Sequence, residues 1–173
     1  KDSQKVNPLF KKVAIVGPGL IGASIGIGLR KKNIASHVIG IGRRQSSLEK
    51  AVRVGAVDDT TLDITDGSSG ADLVILATPI GAFEKLTKNL SQAMKRGALL
   101  TEVGSTKKEI INTIPPALES RPDITFIPTH PMAGSEKRGP EHADGDLFEG
   151  SICIFPPLPN TPREMIETLK NMW

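Results

Sequence analysis

The chain has 173 residues, 38% hydrophobic and 24% charged, with a net charge of +3, which is the size and balance of one globular domain. No apolar run approaches the ~18 residues of a membrane span, the N-terminal stretch lacks the apolar core of a signal peptide, and the single cysteine, Cys153, makes neither an internal disulfide nor a cysteine metal cluster. Aromatic residues are only 3% of the total, too few for base-stacking platforms, so the expectation is a cytoplasmic protein with no metal, membrane or nucleic-acid partner, whose charge suits a small anionic ligand.

Residues 1–11 read as an N-terminal extension and residues 12–173 as one domain. Val13-Ala14-Ile15-Val16 is a short apolar run ended by glycine, the pattern of a strand buried on both faces. Leu20 to Arg30 has apolar residues at helical spacing and ends in Arg30-Lys31-Lys32, cations that suit a helix C-terminus. His37–Ile41 forms the second strand, and Ser46-x-x-Glu49 is a capping box opening a helix toward Val54-Gly55. Leu73–Ala77 is a third strand, followed by Pro79 and a helix to about Met94. Ala98–Val103 comes next, then Thr106-x-x-Glu109 as a second capping box, in a helix that Pro115-Pro116 must break or kink. Ile124–Ile127 and Ser151–Phe155 are the last strands, separated by residues 129–150, which have no periodicity and form a loop long enough to be functional or disordered. Thr161-Pro162-Arg163-Glu164 combines an N-cap, a proline at the first helical position and a capping glutamate. Strands alternating with helices give an α/β fold with a doubly wound, mainly parallel sheet. Because the last helix runs into Trp173, the chain is expected to be part of a longer protein.

Gly17-Pro18-Gly19-Leu20-Ile21-Gly22 lies between the first strand and the first helix, the context a dinucleotide site requires. Gly17 permits the turn, Gly19 lets the backbone approach a pyrophosphate, Gly22 lets the helix pack on the sheet, and the helix N-terminus around Leu20 and Ile21 presents N–H groups to the anion. A plain glycine turn is the competing reading. At the end of the second strand, where NAD enzymes place an acid for the ribose 2′-hydroxyl, the chain has Gly42-Arg43-Arg44-Gln45-Ser46-Ser47. Gly42 carries no carboxylate to repel a phosphate. Arg43 and Arg44 can pair a 2′-phosphate, and Ser46 and Ser47 add hydroxyls. These residues put NADP ahead of NAD, against the alternative of a solvated basic loop.

Thr78-Pro79, Val103-Gly104-Ser105-Thr106-Lys107 and Thr129-His130-Pro131-Met132-Ala133-Gly134-Ser135-Glu136-Lys137 each follow a strand. Ligands of doubly wound sheets bind outside the carboxyl ends of the strands, so these residues are expected to flank the nicotinamide. A neutral histidine there can take a hydroxyl proton. Lys107 reads as a solvated lysine at a helix start or as a partner for substrate charge, Cys153 as a packing residue and His142 as surface.

The glycine loop, Ala77-Thr78-Pro79, Gly104-Ser105-Thr106-Lys107 and above all the run from His130 to Lys137 resemble the prephenate and arogenate dehydrogenase family. The resemblance covers about Lys12 to Trp173, as that family's N-terminal Rossmann-type NAD(P)-binding domain. It implies oxidative decarboxylation of prephenate or arogenate on the route to tyrosine, here with NADP. By the same resemblance His130 matches the catalytic histidine, Ser105 the serine that supports it, and Glu136 a glutamate near the active-site entrance. It further implies a helical C-terminal domain, outside this chain, that forms a homodimer and supplies an arginine for a substrate carboxylate. The 173-residue chain is therefore expected to bind cofactor with little turnover of its own. Arg138 stands where many relatives have a small hydroxyl residue. Another β-hydroxyacid-type NADP dehydrogenase would share the glycine loop and differ around His130. A non-catalytic NADP-binding sensor would need neither His130 nor Ser105.

Overall fold

A computed structural model describes residues 7–173. Its main sheet has six parallel strands in the order β3-β2-β1-β4-β5-β6: β1 (Phe10–Val16), β2 (Ala35–Ile41), β3 (Asp59–Thr61), β4 (Leu73–Leu76), β5 (Leu99–Glu102) and β6 (Thr125–Pro128). The helices between them are α1 (Leu20–Lys31), α2 (Gln45–Arg53), α3 (Ile64–Ser68), α4 (Phe83–Ala93) and α5 (Lys107–Ala117), with α6 (Arg163–Met172) at the end. The chain runs outward from β1 to β3, then returns to the other side at β4. That reversal places the crevice between the ends of β1 and β4.

The central strands are largely apolar because both faces are covered. In β1, Val13 and Ile15 pack with Ile25 and Leu29 of α1 and Leu169 of α6, while Ala14 and Val16 belong to the opposite core with Phe83, Leu90, Ile110 and Ile114. The same alternation continues in β4, where Leu73 and Ile75 face one core and Val74 and Leu76 the other. Among the described residues no helix is long and apolar enough to cross a membrane, and no group of His, Cys, Asp and Glu is placed to hold a metal.

Several local expectations are corrected. β1 starts at Phe10, inside the stretch read as an extension, because Phe10 is buried and its N–H donates to Ile34 O at 3.0 Å; residues 1–6 of that extension lie outside the described residues. Neither capping box forms. Arg44, with no side-chain bond, precedes α2, and Thr106 precedes α5 without bonding its N–H groups. Pro162 occupies the position before α6, and Thr161 donates instead to Leu158 O at 3.1 Å. α5 continues through Pro115 and Pro116 to Ala117, so the prolines do not break it where they stand; each lacks the N–H that would bond back along the helix, and α5 ends directly after them. β3 and α3 carry too short and polar a pattern to be read. The expected strand at 151–155 shrinks to β8 (Cys153–Ile154), which leaves the main sheet and pairs antiparallel with β7 (His130–Pro131). The aperiodic segment thus begins in a ribbon.

Candidate functional site

Three glycines shape the turn after β1, for different reasons. Gly17 has φ +83°, and a Cβ there would lie 2.6 Å from Cγ2 of Thr78. A Cβ at Gly22 would meet Gly17 O at 2.5 Å and Ile15 at 3.0 Å. Both are therefore fixed by the fold itself. Gly19 differs: φ is −78° and a Cβ would have nothing within 4 Å. Neither backbone nor packing demands glycine there, so the open space in front of it is what a bulky anion would use.

The start of α1 faces the same space. No side chain caps it, and Ala23 N–H is the first to find a carbonyl, Gly19 O at 2.8 Å. The N–H groups of Leu20, Ile21 and Gly22 have no intrahelical acceptor, and the helix dipole leaves partial positive charge on them. Thr78, whose Cγ2 lies against Gly17, has its Oγ1 buried without a hydrogen-bond partner among the described residues. Free donors and an open approach together fit the phosphates of a dinucleotide.

At the end of β2, Gly42 N–H donates to Thr61 O at 3.2 Å, and a Cβ at Gly42 would press on Leu48 Cδ2 at 2.9 Å. Packing on α2 is thus one reason for glycine there, alongside the missing carboxylate. Arg43, Arg44 and Ser46 are exposed and Ser47 is half-buried. Neither arginine has an ion-pair partner among the described residues. Two unpaired guanidinium groups therefore stand just before α2.

The other candidates gather at the carboxyl ends of β4, β5 and β6, which are adjacent in the sheet and so roughly 4.8 Å apart. Thr78 and the exposed Pro79 follow β4, exposed Ser105 follows β5, and half-buried His130 follows β6. His130 pairs with Ile154 across the β7–β8 ribbon. Glu136 and Arg138 are exposed on the segment beyond β7 and make no side-chain hydrogen bond or ion pair among the described residues. His142 is exposed, as expected.

Below Ser105 and His130 lies a pair that the sequence reading missed. Glu102, the last residue of β5, is fully buried, and its carboxylate accepts the ammonium of Lys107 together with Gly104 N–H at 2.7 Å. Lys107, read as solvated, has a side chain only 15% exposed; its ammonium also donates to Thr129 O. Burial pushes Glu102 above the ordinary carboxylate range and Lys107 below the ordinary lysine range, and their hydrogen bond and mutual attraction oppose both shifts. The available signal was a carboxylate ending an otherwise apolar strand, Leu99-Leu100-Thr101-Glu102. Cys153, half-buried near this pair, has its thiol pushed up to about 11, chiefly by burial, so it stays protonated and packs.

Comparison with known proteins gives these features a setting. Residues 25–173 match the family described as prephenate dehydrogenase, nucleotide-binding domain. A prephenate dehydrogenase of Lactococcus lactis is 36% identical over 94% of this chain and 45% of its own length. The crystal structure of a prephenate dehydrogenase from A. aeolicus, in complex with hydroxyphenyl propionate and NAD+, superposes with a TM-score of 0.84 at 30% identity, covering 99% of this chain and 58% of that one. Synechocystis arogenate dehydrogenase superposes with a TM-score of 0.83, also at 30% identity, over 93% of this chain and 55% of that one. The chain spans about half the length of the curated relatives it matches.

Proposed function

The chain belongs to the prephenate dehydrogenase family, as its nucleotide-binding domain, and from this membership and the site's geometry we propose that it binds NADP and carries the oxidising side of a site for prephenate or arogenate. The observation that carries the proposal is the placement of Ser105 and His130 at adjacent strand ends, on the same edge of the sheet as the glycine loop.

Gly17, Gly19 and Gly22 with the N–H groups of Leu20 and Ile21 hold the pyrophosphate, and Thr78 and Pro79 line the approach from β4. Arg43, Arg44, Ser46 and Ser47 take the 2′-phosphate beside Gly42, which gives NADP preference over NAD. The bound nicotinamide supplies the hydride acceptor. His130 accepts the proton of the substrate's ring hydroxyl as the carbinol carbon is oxidised, the general-base role that an imidazole can fill. Ser105 hydrogen-bonds the histidine or the substrate hydroxyl and fixes their alignment. Glu136 stands at the entrance. Loss of carbon dioxide aromatises the ring and makes the reaction effectively irreversible.

The whole enzyme is proposed to be a cytoplasmic homodimer on the route to tyrosine, with its dimer contacts and a substrate-binding arginine in a further domain. The 173-residue chain then binds NADP with little turnover by itself. Assaying the full-length protein with prephenate and with arogenate, each with NAD and NADP, tests the proposal. Oxidation of one of them with NADP preferred is the expected result; no oxidation of either would overturn it.

A further inference from the structure

The buried pair under the site joins two pieces of chain that the sequence keeps apart, residues 102–107 and Thr129. Glu102 ends β5. Its Oε2 accepts Gly104 N–H at 2.7 Å, in the loop that carries Ser105. Its Oε1 accepts the Lys107 ammonium and, at 3.3 Å, the N–H of Thr129, the residue before His130. Lys107, in the first turn of α5, closes the ring by donating to Thr129 O. Thr129 is held from the other side too, since its Oγ1 donates to Glu102 O at 2.7 Å. Two of these contacts brace the Ser105 loop from within, and the other three tie its ends to Thr129, the residue that leads into His130.

Stability alone does not account for such a pair. Two charges taken out of water lose several kcal/mol each of hydration, and well-packed apolar residues of similar volume often serve a fold as well or better. What an ion pair with fixed backbone acceptors and donors supplies, and an apolar pair does not, is one defined geometry. Building on the function proposed above, we infer that Glu102 and Lys107 are positioning residues: they clamp the Ser105 loop to the Thr129–His130 segment and so set the relation of serine to histidine, without touching substrate or cofactor.

The test uses the full-length protein and the variants Glu102→Gln, Lys107→Met, the double variant carrying both changes, and Lys107→Arg. Backbone amide exchange at Gly104 and Thr129, melting temperature, NADP affinity and kcat are measured on each. Glu102→Gln and Lys107→Met should each speed exchange at both amides at least tenfold and lower kcat at least tenfold, with NADP affinity within twofold of the parent. Each single change leaves one buried charge unpaired, so some loss of melting temperature accompanies it. The double variant removes both charges; it should recover melting temperature while kcat stays at least tenfold down. Lys107→Arg, which keeps the charge and the donors, should recover part of kcat. A double variant with parental kcat, or exchange quickened at only one of the two amides, overturns the inference. If the parent oxidises neither prephenate nor arogenate, the proposed reaction fails, and the exchange measurements alone then decide whether the clamp exists.

Discussion

The two sides of the sheet build their parts of the site from different materials. On the β1–β2 side the features come from single short stretches: a glycine at φ +83°, a helix start with free N–H groups, an open space at Gly19, and the adjacent exposed side chains of Arg43 and Arg44. On the β4–β6 side two distant stretches meet, the Glu102 and Lys107 side chains reaching the backbone of Thr129 beneath Ser105 and His130. A device written in one short stretch is present wherever that stretch recurs, whereas one joining distant stretches exists only once the chain has folded. The comparison implies a division of labour, in which changes on the first side move cofactor affinity and changes on the second move turnover.

The largest effect should come from the second side. His130→Asn in the full-length protein is expected to lower kcat by roughly 10²–10⁴-fold, the range for a positioned acid–base group, with NADP affinity kept and KM changed less than kcat. A packing role would show the reverse: a lower melting temperature and nearly parental kcat per folded molecule.

Next comes the basic turn after β2. Replacing Arg43 and Arg44 together by alanine should weaken NADP binding by more than ~10-fold, since each hydrogen bond to a charged group is worth about 1.5–3 kcal/mol. NAD binding should stay nearly unchanged. Equal losses for both dinucleotides in a calorimetric titration would place the arginines outside the 2′-phosphate site.

Gly19 sharpens the comparison because nothing in the fold requires it. Gly19→Ala should weaken NADP roughly tenfold by obstructing the pyrophosphate and move the melting temperature by no more than about 2 °C. Gly22→Ala, whose Cβ would meet Gly17 O at 2.5 Å, should lower both, with a stability loss of about 1–3 kcal/mol from overpacking. Identical behaviour of the two variants would make the loop a plain glycine turn.

The smallest effect lies in the turn leading into β6. The Arg121 guanidinium grips Asp123 at 2.9 and 2.7 Å and holds its carboxyl down to about 2, from an ordinary 3.8. With the folded-state pKa depressed, the pair's contribution is present above the ordinary value and drains away as pH falls toward 2. The melting-temperature deficit of Asp123→Asn should therefore shrink between pH 5 and pH 2, and a deficit independent of pH would remove the pair from the account.

The legibility of the sequence follows the same division. The apolar runs of β1, β2, β4 and β5 and the glycine turn were readable because burial on both faces and a tight turn between strand and helix each write a local pattern. β3, Asp59-Thr60-Thr61, lies at the sheet edge and buries none of its residues, so it wrote none. The β7–β8 ribbon was hidden because its two strands are short and distant in sequence. Lys107 was misread for a related reason: a lysine at a helix start is ordinarily solvated, and only the folded chain reveals the carboxylate of Glu102 behind it.

Direct titration of NADP into the His130→Asn and the Arg43→Ala/Arg44→Ala proteins, beside the parent, tests the division most directly. The account predicts parental affinity for the histidine variant and a loss above tenfold for the arginine variant. Equal weakening in both, or weakening in the histidine variant alone, would contradict it.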